Sequence, residues 1–93
     1  MTIISFLCAE TRSLYDGKHS KRFRQIEVVA QRKLQMLDGA VELRDLRSPP
    51  GNRLEPLKGN RTGQHSIRIN EQWRISFIWT PLGPDQVEIV DYH

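Results

Sequence analysis

The sequence is poor in the residues that build covalent or metal frameworks. It has a single cysteine, Cys8, among 93 residues. One thiol cannot form an internal disulfide and offers no zinc-ligand spacing, which points to a reducing compartment, and the cytoplasm is the expected location. Long apolar runs are missing too. The stretch Ile3-Ile4-Ser5-Phe6-Leu7 is too short for the core of a secretion signal and carries no basic residues before it, and nothing later approaches membrane-spanning length. A soluble chain without a membrane partner is expected. Neither linker, internal repeat nor low-complexity segment interrupts the chain, so residues 1–93 are read as one domain. A chain this short buries only about 60 to 65 % of the surface exposed by its unfolded form, which argues against a deep private ligand cavity.

What is present is a moderate excess of positive charge. There are 14 Lys and Arg against 11 Asp and Glu, a net charge of +3. Its distribution is more informative than its size, because residues 53–74 hold Arg53, Lys58, Arg61, Arg68 and Arg74 against Glu55 and Glu71. Such a segment attracts a polyanion or is simply a solvated strand face, and charge alone does not separate the two.

Periodicity gives the architecture. Ile3, Ile4, Phe6 and Leu7 have the composition of a short buried strand. Thr11 is placed to cap a helical turn carrying Leu14 and Tyr15 and ended by Gly17, with the basic run Lys18-His19-Ser20-Lys21-Arg22 left in a loop. From Phe23 to Leu37, apolar residues recur at spacings of three and four, which predicts an amphipathic helix closed by Gly39 at its C′ position. A shorter helical or irregular stretch around Val41, Leu43 and Leu46 is stopped by Ser48-Pro49-Pro50-Gly51.

Everything beyond reads as strands. Arg53 to Leu57 suits an edge strand, because Pro56 cannot donate to a ladder. Residues 64–69 alternate, with Ile67 and Ile69 on one face and Ser66 and Arg68 on the other. Trp73, Ile75, Phe77 and Trp79 oppose Arg74, Ser76, Ile78 and Thr80, and Val87, Ile89 and Asp91 oppose Glu88, Val90 and Tyr92. Short connections require antiparallel hairpins. The expected fold is therefore α+β: one strand and two helices, then a twisted antiparallel meander of three or four strands with the helices on one face.

The candidate chemistry lies on the sheet and at its end. Arg68 and Arg74 occupy alternate positions from which guanidinium groups either contact phosphate oxygens or merely solvate an uncovered face. The last residues, Asp91-Tyr92-His93, bring together a carboxylate, a phenol that donates and stacks, and an imidazole able to transfer protons near neutrality. From spacing alone, a terminal histidine is more often a frayed, inert residue than a catalyst. His19 and His65 have no second ligand at metal spacing, so no metal is expected. Cys8 reads as a small hydrophobe, and Trp73 and Trp79 as core residues rather than stacking platforms.

Four motifs occur in order: Leu54-Glu55-Pro56-Leu57-Lys58-Gly59, Ser66-Ile67-Arg68-Ile69-Asn70, Gln72-Trp73-Arg74-Ile75-Ser76-Phe77 and Asp91-Tyr92-His93. With the strand and helices before them, they resemble the HigB branch of the RelE/ParE toxin superfamily over nearly the whole chain. The resemblance implies a RelE-like fold and a cofactor-independent endonuclease that cuts messenger RNA on the ribosome. It also implies a helix-turn-helix antitoxin as partner, with DNA reached only through that antitoxin. Carried over by motif, the active-site pattern falls on Lys58, Asp91, Tyr92 and His93, with Arg74, Arg61 and Arg68 as phosphate contacts and Arg53 beside them on the RNA-binding surface. Some members have histidine in L-H-P-L-K where this chain has Glu55. The proton-transfer role of that imidazole would then pass to Glu55 or Asp91 as base, with His93 as acid, Lys58 and Arg74 stabilising charge, and Tyr92 holding a base. Two other readings compete: a ParE-like gyrase poison that acts through protein contacts, and an RNA-binding module without chemistry.

Overall fold

A computed structural model describes residues 2–91, so Met1, Tyr92 and His93 lie outside the account that follows. Two helices, α1 (Ala9–Tyr15) and α2 (Glu27–Gly39), precede four strands, β1 (Glu55–Pro56), β2 (His65–Arg68), β3 (Trp73–Thr80) and β4 (Gly83–Asp91). The strands form one antiparallel meander in the order β1-β2-β3-β4, the α+β arrangement that the alternation predicted.

The sheet's inner face supplies Ile67, Ile75, Phe77, Val87 and Ile89, all buried. Helix α2 meets it with Ala30, Leu34 and Leu37, and the 3-10 turn before α2 adds Ile26. Trp73 and Trp79 pack at the margin of this core, and the Phe23 and Trp73 rings meet edge to face with centroids 5.3 Å apart. At about 25 cal/mol per Å² of apolar surface removed from water, this single cluster dominates the stability of so small a chain.

Several boundaries differ from expectation, each for a local reason. The apolar segment at residues 3–7 does not become a strand of its own. It runs parallel to β4 through a lone bridge at Phe6 and Val87, because only three backbone bonds form, Ile4 N to Pro84 O, Leu7 N to Val87 O and Val87 N to Ser5 O. Thr11 does not cap α1. It sits inside that helix, fully buried, where its hydroxyl accepts the Ile89 backbone N–H at 3.1 Å and so ties α1 to β4. The predicted helix over residues 23–37 is divided into a 3-10 turn at Arg24–Ile26 and α2 proper, and Gly39 is the last helical residue with Ala40, in extended conformation, as the cap.

Between α2 and the sheet the chain turns twice in 3-10 form, at Leu43–Arg47 and Pro50–Asn52, so Pro50 opens a turn rather than ending one. The expected edge strand shrinks to two residues, because Arg53 takes a left-handed φ of 44° that extended pairing does not allow. The strand expected over residues 64–69 is likewise confined to His65–Arg68.

Candidate active site

The outer face of the sheet carries a groove in which five of the expected site residues, Glu55, Lys58, Arg61, Arg74 and Asp91, meet. Register places Ser66 opposite Ser76 and Ser76 opposite Glu88, while Arg68 faces Arg74 and Arg74 faces Val90. One row across β2, β3 and β4 is therefore polar throughout, and in the next the arginines of β2 and β3 are followed by Val90. One end of this face is walled by β1 and the turn that follows it. The result is a groove of about 490 Å³ whose lining includes Glu55, Lys58, Arg61, Ser66, Arg74 and Asp91. A second depression of about 420 Å³, lined by Arg53, Arg68, Asn70 and Glu71, shares Glu55 and Arg74 with the first.

Arg74 is the hinge between the two and departs most from expectation. Alternation sends it to an open surface, yet only 5 % of it is exposed. Its Nε donates to Ser66 Oγ at 2.7 Å, and one terminal nitrogen donates to the Arg53 carbonyl at 2.7 Å and the Ser66 carbonyl at 3.3 Å. The same nitrogen lies 3.6 Å from a Glu55 carboxylate oxygen. The physical reason is the short β1 and the left-handed Arg53, which bring a carbonyl and a carboxylate within reach of the guanidinium. A buried cation needs such partners, since leaving it unpaired costs several kcal/mol. Arg74 thus presents a fixed positive charge to the groove floor, and Glu55, with 41 % of its side chain exposed, is oriented by it.

Arg61 covers the neighbouring row. It follows the turn Lys58-Gly59-Asn60, in which Gly59 adopts a positive φ of 65° that favours glycine. Its guanidinium donates to Gln64 Oε1 at 3.2 Å, Ser76 Oγ at 3.3 Å and Glu88 Oε1 at 3.1 Å. The Arg61–Glu88 pair stays partly open to solvent, at 42 % and 21 % side-chain exposure. Such a pair is weak enough for a stronger anion to compete for the guanidinium. Lys58 is exposed on the rim, and among the described residues no ion pair engages it.

Asp91 closes the groove at the end of β4, where one of its oxygens accepts a hydrogen bond from Gln72 Nε2 at 3.1 Å. Tyr92 and His93, the proton-handling pair expected next to it, fall outside the described residues. The groove therefore brings together Glu55, Lys58, Arg61, Arg74 and Asp91, while Arg53 and Arg68 flank the adjoining depression. Among the described residues no three His, Cys, Asp or Glu side chains gather as a metal site would require. No helix among them is long and apolar enough to cross a membrane.

Residues that sequence reading left in the background complete the arrangement. Ser66 anchors Arg74, Ser76 and Glu88 hold Arg61, and Gln72 holds Asp91. The i, i+2 alternation already put the serines on the arginine face, which is the signal that finds them. Lys33 is harder to foresee. It sits on the core-facing side of α2, 7 % exposed, and donates to the side-chain oxygen of the fully buried Asn52. Asn52 in turn donates to the Leu46 carbonyl at 3.1 Å and the Met36 sulfur at 3.0 Å, fastening the turn that delivers Arg53. Burial, then the charges of Arg32 and Arg68, holds the Lys33 pKa below the ordinary lysine value.

Comparison with known proteins gives a consistent picture. Residues 11–93 match the family model of the RelE-like toxin of type II toxin-antitoxin system HigB. The chain is 48 % identical over 64 residues to Toxin HigB-1 of Vibrio cholerae serotype O1, covering 69 % of this chain and 67 % of that protein. An uncharacterized protein of Haemophilus influenzae is 40 % identical over 63 residues, which is 68 % of this chain and 62 % of the relative.

Proposed function

Because the chain belongs to the HigB-like, RelE-type toxins of type II toxin-antitoxin systems, we propose that it is an endoribonuclease that cuts messenger RNA on the ribosome. The observation that carries this reading is the single groove in which Lys58, Arg61 and Arg74 stand beside Glu55 and Asp91, directly before the sequence Tyr92-His93. Membership in a toxin-antitoxin family itself implies an antitoxin partner. In the present proposal that partner carries a helix-turn-helix DNA-binding domain, and the toxin acts in the cytoplasm, where translating ribosomes are.

RNA can be cleaved by attack of its own 2′-oxygen on the adjacent phosphorus. One group must take the 2′-OH proton, cations must stabilise the extra charge on the pentacoordinate phosphorus, and an acid must protonate the departing 5′-oxygen. Glu55, with Arg74 at 3.6 Å and part of its carboxylate turned to solvent, is the nearest candidate base, and Asp91 is the second. Arg74 supplies a preorganised charge that need not move, and Lys58 a mobile one from the rim. His93 is assigned the acid role and Tyr92 the holding of a base.

General acid-base assistance is worth about 10² to 10⁴ in rate. In a ribosome-dependent cleavage assay with mapped RNA ends, Lys58→Ala and His93→Ala should each lose at least about a hundredfold. Full cleavage by both variants would reject the reading. DNA breaks linked to gyrase, with transcripts left intact, would put a ParE-like poison in its place.

A further inference from the structure

A second cationic groove lies outside the site just described. The loop after α1 and the start of β3 enclose about 340 Å³ between Lys21, Arg22, Arg24, Gln25, Gln72 and Trp73. It opens onto a neighbouring depression of about 530 Å³ that shares Lys21 and Arg24. Its charges are not equivalent. Arg22 is committed, lying 5.0 Å from the Phe23 ring centre and 5.7 Å from that of Trp73, with Glu10 at 3.7 Å. Glu27, the one carboxylate in the neighbouring depression, is taken by the His19 ring. Lys21 and Arg24 are exposed, and neither has an ion-pair or hydrogen-bonding side-chain partner among the described residues. No carboxylate lines the groove itself.

The position of this groove gives it a use. Gln72 lies in its wall and donates to Asp91, which lines the candidate active site, and Trp73 pairs with Asp91 across β3 and β4. The two grooves thus meet at one hydrogen bond. We infer that the groove of Lys21, Arg24 and Gln72 is a backbone subsite for single-stranded RNA, holding phosphates of the strand that continues out of the active site past Asp91. The inference rests on the proposed ribonuclease function for the identity of its ligand. An acidic protein segment would meet the same charges, but only an RNA strand already seated beside Asp91 would use the continuity of the two grooves. Phosphate contacts of this kind position a strand without reading its sequence.

The test measures binding of a fluorescein-labelled 2′-O-methyl oligouridine of about twelve nucleotides, which has no free 2′-OH and is not consumed. The full-length chain is compared with Lys21→Glu/Arg24→Glu, with the milder Lys21→Gln/Arg24→Gln, and with Lys58→Ala. All three changed positions are solvent-facing, and circular dichroism and thermal melting verify the folds. Each phosphate contact on a single strand contributes about 0.7 to the slope of log affinity against log salt. The charge-reversed pair should therefore lower that slope by about 1.4 and weaken low-salt binding at least about tenfold, with the glutamine pair intermediate. Unchanged affinity and slope in both pairs would overturn the subsite.

The failure of this inference and that of the underlying reading are distinguishable. Loss of RNA affinity in Lys58→Ala alone sinks the subsite and leaves the ribonuclease reading intact. Loss in the loop pairs, with Lys58→Ala binding and cleaving normally, keeps the subsite and sinks the active-site assignment. A polyglutamate peptide that binds the wild type but not the loop pairs, while RNA binding stays unchanged, would reassign the groove to a protein partner and overturn the inference.

Discussion

Both faces of the sheet bury side chains at their centre, and by opposite means. The inner face is covered by the aliphatic side of α2, with Ile67, Ile75 and Phe77 fully enclosed. The outer face has no helix over it, yet Ser66, Ser76 and Arg74 are as hidden as core residues, at 1 %, 0 % and 5 % exposure. Two guanidinium side chains, those of Arg61 and Arg74, serve as its covering layer. Apolar cover is non-directional and tolerates repacking, whereas a guanidinium layer holds only while each donor finds its acceptor. The outer layer is thus the one in which a bound anion can compete for donors, and it lines the groove.

The comparison is broken most forcefully from the inside. Phe77→Ala removes a fully buried ring that stacks with His65 at 6.3 Å and should cost about 3 to 5 kcal/mol. Against a total of about 5 to 15 kcal/mol for a domain, urea denaturation should find a large share of the stability lost in this variant. A loss below about 1 kcal/mol would mean that the inner face is not the main store of stability.

On the outer face the largest effect should come from Arg74→Ala. It strips the Arg53 carbonyl and the Ser66 hydroxyl of a charged donor, with a cost of about 1.5 to 3 kcal/mol for hydrogen bonds of this kind. Arg74→Lys should recover only part of that, because an ammonium cannot reproduce the fork that reaches Ser66 and Arg53 together. Equal stability of the lysine variant and the wild type in urea titrations would refute the view of a directional layer.

Arg61→Ala should separate stability from function. Its pair with Glu88 is partly solvated, so the melting temperature should move by less than the equivalent of about 1 kcal/mol. RNA cleavage should nevertheless fall by about ten- to a hundredfold if the guanidinium leaves Glu88 for a phosphate, since a charged contact of this kind is worth about 1.5 to 3 kcal/mol. A variant that melts earlier but cleaves normally would make Arg61 a structural cover only.

The same contrast explains what could be read from the residues alone. The inner face was legible because apolar residues at every second position of Trp73–Trp79 and every third or fourth of Ile26–Leu37 leave few alternatives. The cationic character of the outer face was legible too, and Glu55, Lys58, Arg61, Arg74 and Asp91 do line one groove. The burial of Arg74 was not, because its partners come from the segment between α2 and β2. That segment is built of 3-10 turns fixed by Asn52 and Lys33, and long-range bonds of this kind leave no periodic trace. The N-terminal segment misled for a related reason, since its composition fits a strand but its pairing with β4 depends on the bulge where Gln86 takes a φ of 52°.

Lys33 offers the smallest and finest test, being a charged group set into the apolar layer itself. Its pKa is lowered, first by burial and then by Arg32 and Arg68, so the folded state binds this proton less readily than the unfolded chain. Linkage then fixes the sign: the stability tied to Lys33 is fully present above the ordinary lysine value of 10.5 and is lost as pH falls through the lower folded value. Tyr15 acts in the opposite sense. Burial and a hydrogen bond to Asp38 raise its pKa above 10.0, so its contribution is fully present below that value and is lost as pH rises through the folded one. Urea midpoints measured from neutral pH into this alkaline range should therefore lose part of their upward drift in Lys33→Met, and part of their final fall in Tyr15→Phe. If Lys33→Met left the pH profile unchanged, the ammonium would be no less stable in the fold than in water. The apolar layer would then accommodate a cation as readily as the guanidinium layer does, and the distinction between the two faces would lose its physical basis.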